Sequence, residues 1–125
     1  MGGFYIMNLH ESGEMYLETI LVLKKKSGPI RSIDIVNHTG YSKPSVSRAV
    51  NLLKGSGYLT VDEAGYITLT ENGVKVASRM YERHNLLTRF FVEIGVSESV
   101  AAEDACKIEH FLSDETFEKI KLHMS

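Results

Sequence analysis

At 125 residues with a single cysteine, the chain has the size of one compact domain, or of a DNA-binding module with a short appendage, and can form no internal disulfide. It contains no apolar run long enough to cross a bilayer and no basic start followed by an apolar block, so it reads as a cytoplasmic protein without membrane contact. The net charge of −2 argues by itself against a nucleic-acid binder, yet between residues 20 and 58 seven basic residues face Asp34 alone, which leaves +6 there and −8 elsewhere. Such a split suits a phosphate-facing region joined to a cation-binding one.

Residues 1–10 carry two glycines and no capping signal, and no role is assigned to them. From Ser12 the pattern becomes helical, with Met15, Leu17, Ile20, Leu21 and Leu23 as apolar positions and Lys24 to Lys26 matching the C-terminal dipole. Ser27-Gly28-Pro29 ends this helix. Ser32 is positioned to cap a short helix through about His38, which Thr39-Gly40 breaks. Ser42 then reads as the N-cap of a third helix, with Pro44 in its first turn and Val46, Val50, Leu52 and Leu53 on its apolar side. Two helices separated by a glycine-containing turn, the second carrying small polar and basic residues, form a helix-turn-helix pattern.

Tyr58 to Val61 and Tyr66 to Leu69 read as a β-hairpin turning at Gly65, in the position of the wing of a winged helix. Asp62 and Glu63 make its tip acidic and repellent to phosphate. Thr70 caps a long helix to about Glu93 or Ile94, Gly95 stops it, Ser97 caps the next and Ser113 the last. These helices carry more apolar surface than they can cover among themselves, so a homodimer is expected, and paired recognition helices would match a roughly palindromic operator in double-stranded DNA.

Taken singly, Cys106 reads as core filling, Glu109 as a solvated helix residue, His110 as a partly buried histidine and Met15 as core. On one helix, however, Cys106, Glu109 and His110 stand at i, i+3 and i+4, so they could face one ion together. Sulfur, oxygen and nitrogen donors suit late first-row divalent metals better than calcium or magnesium, and the chain lacks the paired cysteines of a structural zinc site. Three readings stay open on the residues: a metal-responsive DNA-binding regulator, a redox-responsive winged-helix regulator using Cys106, and a metal-handling enzyme or storage protein. The last lacks an evident nucleophile and base pair, so no enzyme is expected.

Four stretches in order carry a specific resemblance: residues 14–20 (EMYLETI), 42–47 (SKPSVS), 83–87 (RHNLL) and 103–110 (EDACKIEH). Over roughly residues 12–120 the chain resembles the metal-activated repressors of the diphtheria-toxin-repressor family, which has iron-responsive and manganese-responsive branches. The resemblance implies that Met15, Cys106, Glu109 and His110 occupy the positions of an iron-branch regulatory site. It also implies that His84 stands at a second-site ligand of that branch, one shared with the manganese branch, and that Glu18 stands at a manganese-branch ligand. Thr88 and Ala102 replace two iron-branch second-site ligands, while Met15 and Cys106 replace the aspartate and glutamate of the manganese branch. Thioether and thiolate favour Fe(II), with Mn(II) possible and Zn(II), Co(II) or Ni(II) as substitutes in vitro. For DNA the positions are Ser42, Lys43, Ser45, Ser47 and Arg48. The chain has no room for the SH3-like domain of many iron-branch members.

The expected architecture is mainly α with a small β-hairpin: an N-terminal winged helix-turn-helix at 12–70, then an all-helical metal-binding and dimerisation domain at 71–125. The expected function is metal-activated transcriptional control, as a repressor of metal-uptake genes.

Overall fold

The computed structural model describes residues 2–125, with side chains from Glu11 onward. In chain order the elements are α1 (Gly2–Ser27), β1 (Ile30–Arg31), α2 (Ser32–Thr39), α3 (Lys43–Gly55), β2 (Leu59–Val61), β3 (Tyr66–Leu69), α4 (Glu71–Glu93), α5 (Glu98–Ile108) and α6 (Asp114–Met124). The reading of residues 1–10 concerns side chains outside the described ones. Two compact units divide within α4, Met1–Ser78 and Arg79–Ser125.

In the first unit, α1 ends where its composition requires. Gly28 takes φ +78°, a conformation costly for residues with a Cβ, and its N–H donates to the Lys24 carbonyl at 2.9 Å. Gly40 closes α2 in the same way, with φ +78° and a bond to Val36 O. The start of α2 differs from expectation. Ser32 is already helical, and the Asp34 carboxylate accepts from the backbone N–H of Arg31 at 2.8 Å, so an acidic side chain in the first turn supplies the cap. At α3, Ser42 accepts from Ser45 N as expected, with Pro44 just inside the helix where no N–H partner is needed.

The expected hairpin is present, and β1 adds to it a strand that two residues were too few to announce. The sheet order is β1-β3-β2, antiparallel, with Ile30 opposite Ile67 and Leu59 opposite Leu69. Alternation turns Leu59 and Ile67 inward and Thr60 and Thr68 outward. Ile30, Leu59 and Ile67 join Leu17, Ile20, Ile35, Val46, Val50 and Leu53 in a core that also includes Ala77 of α4. On the sheet's outer side the Arg31 guanidinium lies 4.4 Å over the Tyr66 ring and donates to its hydroxyl at 3.0 Å. Asp62 organises the wing turn: its Oδ1 accepts from the N–H groups of Ala64 and Tyr66, both at 2.9 Å. Its charge is therefore partly committed to the turn rather than free to repel phosphate.

Thr70 caps α4 and ties it to the wing. Its Oγ1 accepts from Gly73 N at 3.2 Å and donates to Gly57 O at 2.7 Å, while its own N–H donates to Tyr58 O at 3.0 Å. A methyl group on Gly73 would overlap that same Tyr58 carbonyl oxygen, a backbone atom that cannot swing away. Gly73→Ala is therefore expected to destabilise the chain by about 2–3 kcal/mol, despite better helix propensity, through forced overpacking. Urea unfolding checks this, and a gain in stability would contradict it.

In the second unit, Met80, Leu87, Ala101, Ala105 and Phe117 are buried. Helix α5 stops at Ile108, and the α6 N-cap Ser113 accepts from Thr116 N at 3.1 Å. Phe111 is 65% exposed and Leu122 68%.

Candidate metal centre and nucleic-acid interface

The C-terminal end of α5 sets the metal-ligand candidates. Glu109 is its C-cap, still in right-handed helical geometry, with its N–H bonded to Ala105 O. His110 follows in the turn. Glu109 is only 1% exposed, and its two carboxylate oxygens face two imidazoles. Oε2 lies 3.0 Å from His84 Nδ1, and Oε1 lies 3.5 Å from His110 Nε2. His84 comes from the middle of α4, one turn before Thr88, whose hydroxyl donates to the His84 carbonyl at 2.7 Å. Position 88 thus carries a hydroxyl spent on its own helix, where an iron-branch second site would have a carboxylate.

A carboxylate buried to this degree needs strong donors or a cation as compensation. One anionic oxygen donor beside two imidazole nitrogens fits Mn(II), Fe(II) and the later divalent ions, so these residues suit the metal that the sequence implies. Cys106 is on α5 and exposed. Met15 is on α1, partly buried against the first unit's core, with the Thr19 hydroxyl 3.8 Å from its sulfur. Glu18, three residues further along α1, is half-buried.

Arg83 was missed on sequence grounds. It is 2% exposed, and it donates from Nη1 to the carbonyls of Glu109 and Leu112 at 3.0 and 2.6 Å and from Nη2 to Asp114 Oδ1. A signal existed: Arg83 shares the apolar stripe of α4 with Met80 and Leu87, at i+3 and i−4 spacing, where a solvated arginine would not sit.

On α3, Val46, Val50 and Leu53 point into the core. Ser42, Lys43, Ser47 and Arg48 are exposed and Ser45 is half-buried, so the expected DNA-facing residues gather at the helix's N-terminal end. Hydroxyls link them: Ser42 Oγ donates to Ser45 Oγ at 2.9 Å, and Arg48 Nη2 reaches Ser45 Oγ at 3.5 Å. Tyr41, which sequence reasoning passed over, stands just before the cap, 47% exposed, and packs edge-on to Tyr16 with centroids 6.2 Å apart. Burial and then the neighbouring Tyr41 push the Tyr16 phenol above its ordinary range, against a smaller opposing effect of Arg48, so it stays neutral beside the reading helix. Lys24, whose ammonium donates to Ile67 O at 2.9 Å, braces the wing. Among the described residues, no helix is long and apolar enough to cross a membrane.

Comparisons with known proteins agree with this division of labour. Residues 8–67 match the family model for the iron dependent repressor N-terminal DNA binding domain, and residues 70–125 match that for its metal binding and dimerisation domain. An uncharacterised HTH-type transcriptional regulator of Methanocaldococcus jannaschii is 35% identical over 118 residues, covering 93% of this chain and 94% of its own. The transcriptional regulator MntR of Escherichia coli is 32% identical over 107 residues, covering 86% of this chain and 69% of its own. Among solved structures, the manganese regulator SloR superposes with a TM-score of 0.80 at 26% identity over 90% of this chain, and T. acidophilum IdeR with 0.76 at 25% over 89%. The chain spans about half the length of either, 53% in each case. These relatives are regulators rather than enzymes, and with both family models covering nearly the whole sequence, the chain belongs to the iron-dependent repressor family of metal-dependent transcriptional regulators.

Proposed function

We propose that the chain acts as a cytoplasmic homodimer that binds a roughly palindromic operator when it carries Fe(II), and so represses metal-uptake genes. Residues 12–70 read DNA and residues 71–125 hold metal and partner. The observation that carries this reading is the Glu109 carboxylate, 1% exposed and facing His84 and His110, in a chain whose recognition helix exposes Lys43, Ser47 and Arg48. Ligands from two regions of the chain give an ion a means of favouring one arrangement of the reading helices, which shifts an existing population. Glu109, His84 and His110 form the nucleus, and Met15, Glu18 and Cys106 complete it.

The sulfur donors at Met15 and Cys106 favour Fe(II), with Mn(II) as the alternative effector, in keeping with the relatives named manganese regulators. The ion supplies positive charge and fixed coordination; the chain's own residues supply the buried carboxylate, the imidazoles and the reading surface.

The test is an anaerobic DNA-binding titration, using a duplex selected from a random library by metal-loaded protein. Fe(II) should raise affinity at least tenfold over chelated protein, and Mn(II) should do so less well at equal free-ion concentration. Equal affinity with and without metal would refute metal activation, and activation by Mn(II) alone would reassign the effector.

A further inference from the structure

Helix α5 ends at Ile108, whose carbonyl accepts from the N–H groups of Phe111 and Leu112 at 3.0 Å, and a glutamate just past that end would ordinarily swing toward water. Instead the turn after it is gripped from inside the unit. The Arg83 Nη1 amine has two N–H bonds, and they go to two different carbonyls of the turn, Glu109 at 3.0 Å and Leu112 at 2.6 Å. Nη2 reaches Asp114 Oδ1 in the first turn of α6, where Arg79 Nη2 also binds the same oxygen at 2.8 Å. The guanidinium carbon sits 5.1 Å from the Phe117 ring centroid, and Nε is buried without a partner among the described residues.

Burying this charge with one N–H unsatisfied is costly, and satisfying two carbonyls would not by itself require a charge. What the arrangement achieves is directional. Arg83 holds the backbone of Glu109 and leaves its carboxylate alone, so both acidic oxygens remain turned to His84 and His110. Because Arg83 and His84 are consecutive on α4, the helix that anchors the turn also presents one of the imidazoles.

We infer that Arg83 is the positioning residue of the metal centre, holding the Glu109–Leu112 turn so that the Glu109 carboxylate meets His84 and His110 before an ion arrives. This rests on Glu109 being a metal ligand, as proposed above. Residues that orient ligands govern affinity without touching the ion, and their loss weakens binding about 10- to 100-fold.

The experiment uses the full chain in four variants: Arg83→Met, Arg83→Lys, Phe117→Leu and His84→Ala. Mn(II) affinity is read from the EPR signal of the free ion, coordination from the visible absorption of the Co(II)-loaded protein, and the apo fold from circular dichroism and urea unfolding. Arg83→Met is expected to lose about 10- to 100-fold in Mn(II) affinity and to change the Co(II) spectrum while apo helix content is kept. Arg83→Lys, which keeps the charge but not the three-way fork, should recover part of the affinity. Phe117→Leu, which loosens the same unit without touching the turn's carbonyls, should bind Mn(II) within about threefold of the parent.

The inference is overturned if Arg83→Met keeps both affinity and spectrum, or if Phe117→Leu loses as much affinity at equal loss of stability. Should Arg83→Met fail to fold, Arg83→Lys decides by the same two readouts, an unchanged spectrum with parental affinity counting against the inference. His84→Ala separates the two claims: its loss of affinity beside an unaffected Arg83→Met sinks the positioning role alone, whereas its retention of full affinity sinks the metal-site reading itself.

Discussion

Glu109→Gln is expected to lower Fe(II) and Mn(II) affinity at least about a hundredfold, because it removes a buried anionic oxygen donor, 1% exposed, from between His84 and His110. The amide keeps the shape of the side chain, so the apo protein should fold as before and could gain stability, since an ionised group buried at that depth is replaced by a neutral one. Metal-dependent DNA binding should disappear with the metal affinity, leaving only the weak DNA binding of the apo protein. Isothermal titration with Mn(II), paired with DNA-binding anisotropy, checks both consequences. A variant that still binds metal at parental affinity would remove Glu109 from the site.

Arg48→Ala should act on the opposite function. Arg48 is exposed on α3, with Nη2 3.5 Å from the Ser45 hydroxyl, and points its charge where the Ser42 cap and Lys43 also lie. Removing an arginine that reaches a base edge costs about 1–3 kcal/mol, or about 10- to 100-fold in operator affinity, and relaxes discrimination at the contacted base pair. If it meets phosphate instead, affinity falls similarly on all sequences and the salt dependence becomes shallower by about one unit. In either case Mn(II) affinity in the absence of DNA should be unchanged. A parallel loss of metal affinity would contradict the separation of the reading surface from the metal centre.

The parts of this molecule that sequence periodicity captures are those set by local chemistry. The Ser42 cap with Pro44, the Ser27-Gly28-Pro29 stop, the Thr70 and Ser113 caps and the Gly65 turn all act within a few residues, and all appear where their spacing puts them. Strand β1 was invisible because two residues carry no period; Ile30 and Arg31 become a strand only through pairing with Ile67 and Tyr66, distant in sequence. Gly73 carries no local signal of its role, since the carbonyl it must approach belongs to Tyr58.

The candidate metal site was legible in part for the same reason. Glu109 and His110 stand out by their spacing, as the C-cap of α5 and the turn residue after it, but which groups Glu109 faces depends on α4 folding back beside it, and this selects His84. Helical spacing placed Cys106 alongside Glu109, yet α5 turns that cysteine to solvent while the residue three positions on is buried. Arg83 could be seen as a misplaced charge on an apolar stripe; what it holds could not.

The most direct measurement of the central claim is Mn(II) or Fe(II) affinity determined twice under anaerobic conditions, once with free protein and once with protein saturated by its selected duplex. If metal at Glu109 raises DNA affinity by some factor, then DNA must raise metal affinity by the same factor, because binding free energies are reciprocally linked. The account predicts tighter metal binding on DNA, by at least tenfold and by the ratio found in the DNA titration. Metal affinity unchanged by the duplex would contradict it.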